Sequence, residues 1–351
     1  MCNLQEQGLK LSSKNGFSLT ELLITLAIFS LAMGSIFSVY SALVKHTTRQ
    51  YCIAESDSEL TIVKDIISRD IMMAGYGIAD DYGNLNYDPR PIELINESAK
   101  NDFDILTLRG TAIGIFSRAS QAWSYVENAN FLKLYKWNDA RENINKNDIV
   151  IFIEPVSRKL IDSDGKAVFK YPKESPSSYE DGTLVYGIHS EDAKIPYYSV
   201  QYLLGGTSPS RCAPGTYSLL RAESKDSDPP PPSVRRPLLS CVKDFQVAIG
   251  LDEDDDGIID HWEPENGEII SNKYDTKTLK QRIKQIKVYL LVQKGNYDSG
   301  YVYKNPDEPD SPWKIYVGEK LNNSGRYVTL RSEQKNYNWR LISFSVTPRN
   351  L

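Results

Sequence analysis

The run from Leu22 to Val44 constrains this chain most: 23 residues without one charged side chain, in a sequence of otherwise polar character. As a helix rising about 1.5 Å per residue it would extend roughly 34 Å, enough to cross a hydrocarbon core of about 30 Å. A cleaved secretory signal predicts a different pattern, an apolar stretch of roughly 7 to 15 residues followed by a small-residue cleavage site. Ser41-Ala42 lies near the end of the run, but the run is too long and passes directly into Lys45-His46. Lys10 and Lys14 precede the segment and Lys45 and Arg49 follow it, so the positive-inside count leaves the orientation open.

Glu21 breaks the pattern, standing just inside a stretch that otherwise begins at Phe17. An ionised acid at mid-bilayer costs about 2.5–3.5 kcal/mol and usually has a partner. One reading places Glu21 at headgroup level as a first-turn acid facing the positive end of the helix. The flanking residues point elsewhere. Lys14-Asn15-Gly16 followed by Phe17-Ser18-Leu19-Thr20-Glu21-Leu22-Leu23 closely resembles the class III signal of type IV prepilins. The resemblance implies a membrane prepilin peptidase that cuts between Gly16 and Phe17 and methylates the new amino terminus, with residues 1–16 removed as a polar leader. The charged amine created at Phe17 can pair with Glu21 of a neighbouring subunit inside a bundle of apolar helices. In a low dielectric that pair would set the axial register of the assembly. Many major pilins carry a helix-breaking proline midway, whereas this segment has none and Ser38 stands near that place. The resemblance therefore does not bring local unwinding to this helix.

The spacing predicts that the helix continues, because Leu60, Val63, Ile67 and Ile71 recur at three- and four-residue intervals with Asp57, Lys64 and Asp65 between them. Gly75 and Gly77 offer a left-handed stop. The expected helix covers 17–74, with 17–44 in the membrane or filament core and 45–74 laid on a head comprising 75–351. In that head, aromatics at 11 %, with 22 Tyr against 10 Phe, favour strands. Phe103 to Leu108, Asp148 to Ile153, Ser199 to Leu204 and Ile286 to Val292 are the clearest strands, and Trp313 to Val317 and Arg340 to Val346 fit the same alternation. The fold class is α+β: a helix against an antiparallel sheet. Asp226-Ser227-Asp228 followed by Pro229 to Pro232 reads as a stiff, exposed loop.

Of the four cysteines, Cys2 falls in the leader. Cys212 and Cys241 bracket the proline loop, and in an oxidising compartment their pairing is expected, with Cys52 as a buried thiol that could compete. Asp252-Glu253-Asp254-Asp255-Asp256-Gly257-Ile258-Ile259-Asp260-His261-Trp262-Glu263 fits the twelve-residue calcium loop, with acids at positions 1, 3, 5 and 9, glycine at 6 and glutamate at 12. The expected calcium ligands are Asp252, Asp254, Asp256, the Ile258 carbonyl, Asp260 directly or through water, and bidentate Glu263. The competing reading is an acidic surface loop with fortuitous spacing. Asp244 to Ile249 alternates like a strand, so the loop would lack the usual flanking helices.

Three further segments narrow the likeness: Ser68 to Tyr76, Leu239 to Val247, and Val288 to Val292, together with the terminal Arg349-Asn350-Leu351. They resemble the PilW family of minor type IV pilins over roughly the first 80 and parts of the last 115 residues, while 80–235 carries no comparable signature and forms a variable middle region. The likeness implies a role in priming pilus assembly with other major and minor pilins, a single-pass stage in the inner membrane with the head outside the cytoplasm, and then the pilus surface. Size also favours a minor subunit. The head from Gly75 to Leu351 has 277 residues, and an expected radius of gyration of about 19 Å against about 13 Å for 100 residues would crowd a filament that carried it at every position.

A minor pseudopilin of a type II secretion system shares the signal and the helix-on-sheet plan. A tip adhesin is a further alternative, its tyrosine-rich strands meeting glycans. Other classes fit poorly. A net charge of −5 lacks the basic footprint of a nucleic-acid partner. His46, His189 and His261 form no HxxxH pair, and no Ser-His-Asp order, HExxH, phosphate loop or CxxC is present, so no enzyme is expected.

Overall fold

The computed structural model describes residues 16, 18–83, 85, 89–96, 103–114, 118–189, 195–265 and 268–351. Most of the expected leader, with Cys2, lies outside the described residues, as does Phe17. The chain divides into two compact units, Met1–Cys52 and Ile53–Leu351. Helix α1 (Leu19–Met73) begins in the first and ends in the second.

Between Leu22 and Val44 α1 carries no charged side chain on any side. Leu22, Ile24, Phe29, Leu31 and Phe37 are each more than half exposed, and the helix is long and apolar enough to cross a membrane. Such a surface is stable only in lipid or against other apolar helices.

In the second unit α1 buries Leu60, Val63, Ile67 and Ile71, the single face that their spacing describes. The helix stops where Gly75 and Gly77 take φ of +85° and +67°. A Cβ at Gly75 would lie 2.5 Å from the Asn350 carbonyl oxygen. The last residues close this end of the helix, since the Arg349 N–H at 3.4 Å and the Asn350 side-chain amide at 2.8 Å both donate to the Met72 carbonyl. That carbonyl is one of those a helix C-terminus leaves without an intrahelical partner.

The strands follow in the order β1 (Ile92–Asn96), β2 (Asp104–Gly110), β3 (Trp123–Asn128), β4 (Lys133–Leu134), β5 (Ile149–Ile153), β6 (Leu160–Ile161), β7 (Phe169–Lys170) and β8 (Leu184–Ile188). After them come β9 (Tyr198–Gly205), β10 (Tyr217–Ser224), β11 (Arg236–Leu251) and β12 (His261–Glu263). The short helix α2 (Thr276–Arg282) precedes β13 (Ile283–Lys294), β14 (Lys314–Glu319), β15 (Ser324–Thr329) and β16 (Asn338–Val346). The main sheet runs β1-β2-β9-β10-β11-β13-β16, with β12 added to β11, and all its pairings are antiparallel. Strand alternation sends Phe245, Val247, Ile249, Val288 and Leu290 into the core shared with α1. Ala248, Tyr289 and Leu291 go to the opposite side, where they meet Ile315, Val317 and Val328 of the β14–β15 hairpin. The main sheet is therefore the middle of three layers.

The helix laid on an antiparallel sheet is as expected; beyond it the head holds a further sheet that the sequence did not separate from the first. A second sheet, β4-β3-β8-β5-β6 with β7 on β5, lies wholly within the middle region that carried no motif. Its interior strand β5, Ile149-Val150-Ile151-Phe152-Ile153, is buried on both faces. Ile149, Ile151 and Ile153 pack with Ile78, Ala79 and Tyr82, while Val150 and Phe152 pack with Phe169 and Val185. A continuous apolar run is the signature of a strand covered on both sides.

The proline-rich segment also differs from the exposed loop expected. Asp228 accepts hydrogen bonds from Arg109 Nε at 2.5 Å, Ser199 Oγ at 2.9 Å and Tyr197 Oη at 3.0 Å, and Pro230 is buried. The loop is thus tied to β2 and β9 by an acid held between a guanidinium and two hydroxyls.

A second buried acid titrates in an unusual range. Asp104 is 0 % exposed; its Oδ2 accepts the Val247 N–H at 2.7 Å, and its Oδ1 meets no donor among the described residues. Burial pushes this carboxyl up to about 8, the Val247 N–H opposing and the Asp244 charge adding to the rise. An unfolded chain releases this proton near pH 4, so between about pH 4 and 8 the folded state alone retains it. The contribution of Asp104 to stability is complete below that window and is lost as pH rises through it. Thermal unfolding at a series of pH values should show a decline over this range that becomes shallower in Asp104→Asn. Equal slopes in the two proteins would refute the assignment.

Candidate functional site

Two features of the chain point to function, the start of α1 and the acidic loop between β11 and β12. At the first, Ser18 immediately precedes the helix, and its N–H donates to Glu21 Oε2 at 2.9 Å. The Ser18 and Thr20 hydroxyls lie 2.7 Å apart. Serine at the N-cap with glutamate three residues on is the capping-box pattern, in which the glutamate reaches back to the N-cap amide. Within one chain, then, Glu21 caps its own helix. Of the residues flanking the expected cut, Gly16 is exposed and Phe17 lies outside the described residues.

The acidic loop closes a hairpin, because Leu251 and His261 face each other across β11 and β12. Asp252 organises it: this buried carboxylate accepts the N–H groups of Asp255 at 2.7 Å, Asp256 at 3.2 Å and Gly257 at 2.8 Å. Gly257 takes φ of +87°, as the sharp turn at this place in the loop requires. Burial works to raise the Asp252 carboxyl, but the Gly257 N–H and Lys284, 3.3 Å away, together hold it below the usual carboxylate range. Asp260 Oδ2 accepts the Glu253 N–H at 2.6 Å.

Three of the six expected calcium ligands come together: Asp252, Asp254 and Asp260 each offer a carboxylate oxygen, all within 4.8 Å of one another. Asp256 stands outside this group and accepts the Ile258 N–H at 2.7 Å, and the Ile258 side chain is exposed. Glu263 is drawn into the ladder opposite Ile249, where its Oε2 accepts the Ser271 N–H at 2.8 Å. Its Oε1 is buried without a donor among the described residues, and burial raises this carboxyl above its ordinary value. The donor set is hard oxygen throughout, which suits calcium. Asp252, Asp254 and Asp260 form a group that could hold a metal ion, and Glu263 Oε1 has no hydrogen-bond partner among the described residues.

Cys212 and Cys241 are joined, with their Cα atoms 5.1 Å apart and a sequence separation of 29. Closing a loop of this size contributes roughly 3.7 kcal/mol in the chain-entropy treatment. Cys52 stands outside this bridge and is half-buried on α1, less covered than the sequence suggested.

Sequence reasoning missed the polar anchor that fixes α1 to the main sheet. Asp70 on the helix, 4 % exposed, accepts the Tyr202 hydroxyl at 2.5 Å and Arg221 Nε at 2.9 Å. Arg221 also pairs with Glu223. An acid between Arg69 and Ile71 looks like any solvent-facing helix residue, and only the arrival of β9 and β10 over it reveals the site.

Residues 11–37 match the prokaryotic N-terminal methylation motif. That match supports a type IV pilin-like or pseudopilin role and marks the chain as a substrate for prepilin peptidase. No curated protein and no solved structure matches the chain.

Proposed function

We propose that this protein is a minor type IV pilin of the PilW kind, cut between Gly16 and Phe17, methylated at Phe17, and built into a pilus through α1. The observation that carries the proposal is the methylation motif at residues 11–37 running directly into a helix that carries no charged side chain between Leu22 and Val44 and is long and apolar enough to cross a membrane. The protein waits in the inner membrane as a single-pass precursor and then joins other major and minor pilins, with Glu21 meeting the amine of a neighbouring subunit's Phe17. A head whose described residues form three sheets is too bulky to repeat along a thin fibre, which favours the tip and a part in priming assembly. Its role is structural, not enzymatic.

The alternative is a minor pseudopilin of a type II secretion system, and deletion separates the two. A pilus subunit predicts loss of surface fibres and twitching with exoprotein release unchanged. Exoproteins retained in the periplasm, with fibres intact, would favour the pseudopilin.

Calcium is proposed to stabilise the β11–β12 loop through Asp252, Asp254 and Asp260, with Asp256, the Ile258 carbonyl and Glu263 completing the set on binding. Extracellular sites of this type have dissociation constants of about 0.1–1 mM, so about 10 mM calcium should add roughly 1.5–3 kcal/mol to the head. Thermal unfolding should therefore shift upward with calcium but little with magnesium, and Asp252→Asn should abolish the shift. No shift in the unmodified protein would remove the ion from the account.

A further inference from the structure

One side of the second sheet gathers aromatic rings that stay partly exposed. Ala122, Ser124 and Val126 are buried, so Trp123 and Tyr125 emerge together on the opposite side of β3. Tyr186 of β8 lies across from Trp123, and Tyr135 and Trp137 follow β4. The rings form a continuous patch. Centroid distances are 4.5 Å for Trp123–Trp137, 4.8 Å for Tyr135–Trp137, 4.9 Å for Tyr125–Tyr135 and 5.2 Å for Tyr76–Tyr186. None of these side chains is fully buried, and Tyr135 is 37 % exposed.

Hydrogen bonds hold the patch in place. Trp137 Nε1 donates to the Trp123 carbonyl at 2.8 Å. Asn143 grips the Trp137 backbone twice, accepting its N–H at 2.7 Å and donating to its carbonyl at 3.0 Å. The Tyr76 hydroxyl donates to the Gln121 carbonyl at 2.9 Å. Rings fixed in this way lose little freedom when a ligand arrives.

Where the patch meets the end of α1, a cleft of about 370 Å³ opens, lined by Tyr76 and Trp123 and by Gln121, Asp139, Arg141 and Glu142. Its size lies in the range of small-molecule sites, about 300–1,000 Å³. Arg141 forks onto Asp139, with Nη2 to Oδ2 at 2.7 Å and Nε to Oδ1 at 3.1 Å. Gln121 and Glu142 are exposed beside that pair. Ring surface on one side and planar amide, carboxylate and guanidinium groups on the other match a pyranose, which has an apolar C–H face and a rim of hydroxyls that both donate and accept. Arg69, also at the cleft, and Arg141 balance the charges of Asp139 and Glu142. A site of near-zero charge favours a neutral sugar over a phosphorylated, sulfated or sialylated one.

We propose that this cleft binds a neutral pyranoside, packing one face of the sugar on Trp123 and Tyr76 and bonding its hydroxyls to Gln121, Asp139, Arg141 and Glu142. The activity goes beyond filament assembly and does not depend on which secretion or pilus apparatus the chain serves. The test is a tryptophan-fluorescence titration of the full-length chain, in a detergent without a sugar headgroup, with cellobiose, lactose and N,N′-diacetylchitobiose. At least one should give a saturable change in the millimolar range. Trp123→Ala and the surface double variant Gln121→Ala/Glu142→Ala should each bind roughly tenfold more weakly. The double variant should keep the unmodified melting temperature and still enter filaments, which separates loss of the site from loss of the fold or of assembly. No saturable response to any of the three sugars, or undiminished binding in the double variant, would overturn the proposal.

Discussion

Arg221→Met should destabilise the head by about 3–5 kcal/mol, because it leaves the Asp70 carboxylate buried without its counter-charge. The arginine side chain is 18 % exposed and that of Asp70 5 %, so the carboxylate itself has little direct contact with water. The Tyr202 hydroxyl still donates at 2.5 Å, but one neutral donor does not offset a desolvated charge. In a head of this size the loss should appear as a fall in melting temperature of about 10 °C. Replacing both ends, as Asp70→Leu with Arg221→Met, should recover most of the stability, since an apolar pair in such a place is often neutral. A fall of 1–2 °C in the single variant, or no recovery in the double, would mean that the pair does not fasten α1 to the sheet.

Glu21→Gln should abolish incorporation into filaments while leaving membrane insertion intact. Glutamine also serves at this position of a capping box, so the bond to the Ser18 N–H, 2.9 Å in the native chain, can persist. What the substitution removes is the negative charge. If Glu21 served only as a cap, the Gln variant would assemble normally, and even Glu21→Ala would cost no more than about 0.5–2 kcal/mol of helix stability. If Glu21 neutralises the amine of a neighbouring subunit in a low-dielectric bundle, both variants fail to assemble. Quantifying the protein in sheared fibres and in membranes separates the two roles, and a Gln variant found in fibres at the native level would eliminate the register role.

The helix and the main sheet were legible because their burial is one-sided. Leu60, Val63, Ile67 and Ile71 announce a helical stripe, and Phe245, Val247 and Ile249 a strand face, with no reference to partners. The second sheet was only half visible. Ile149 to Ile153 read as a strand, but β4, β6 and β7 are two residues each, too short to leave a period. The acidic loop shows a different limit. Its spacing gave the turn at Gly257 and the convergence of Asp252, Asp254 and Asp260, but Glu263 is claimed by the ladder to Ile249, a long-range pairing that spacing alone does not encode. Asp70 and Asp228 were unreadable for the same reason: each is a short acid whose partners, Arg221 in one case and Arg109 in the other, lie more than a hundred residues away.

The most direct measurement is mass spectrometry of filaments sheared from the cell surface. The account predicts a scarce subunit whose chain begins at N-methylated Phe17. Recovery of the protein only from membranes, with residues 1–16 still attached and none in the fibres, would contradict it.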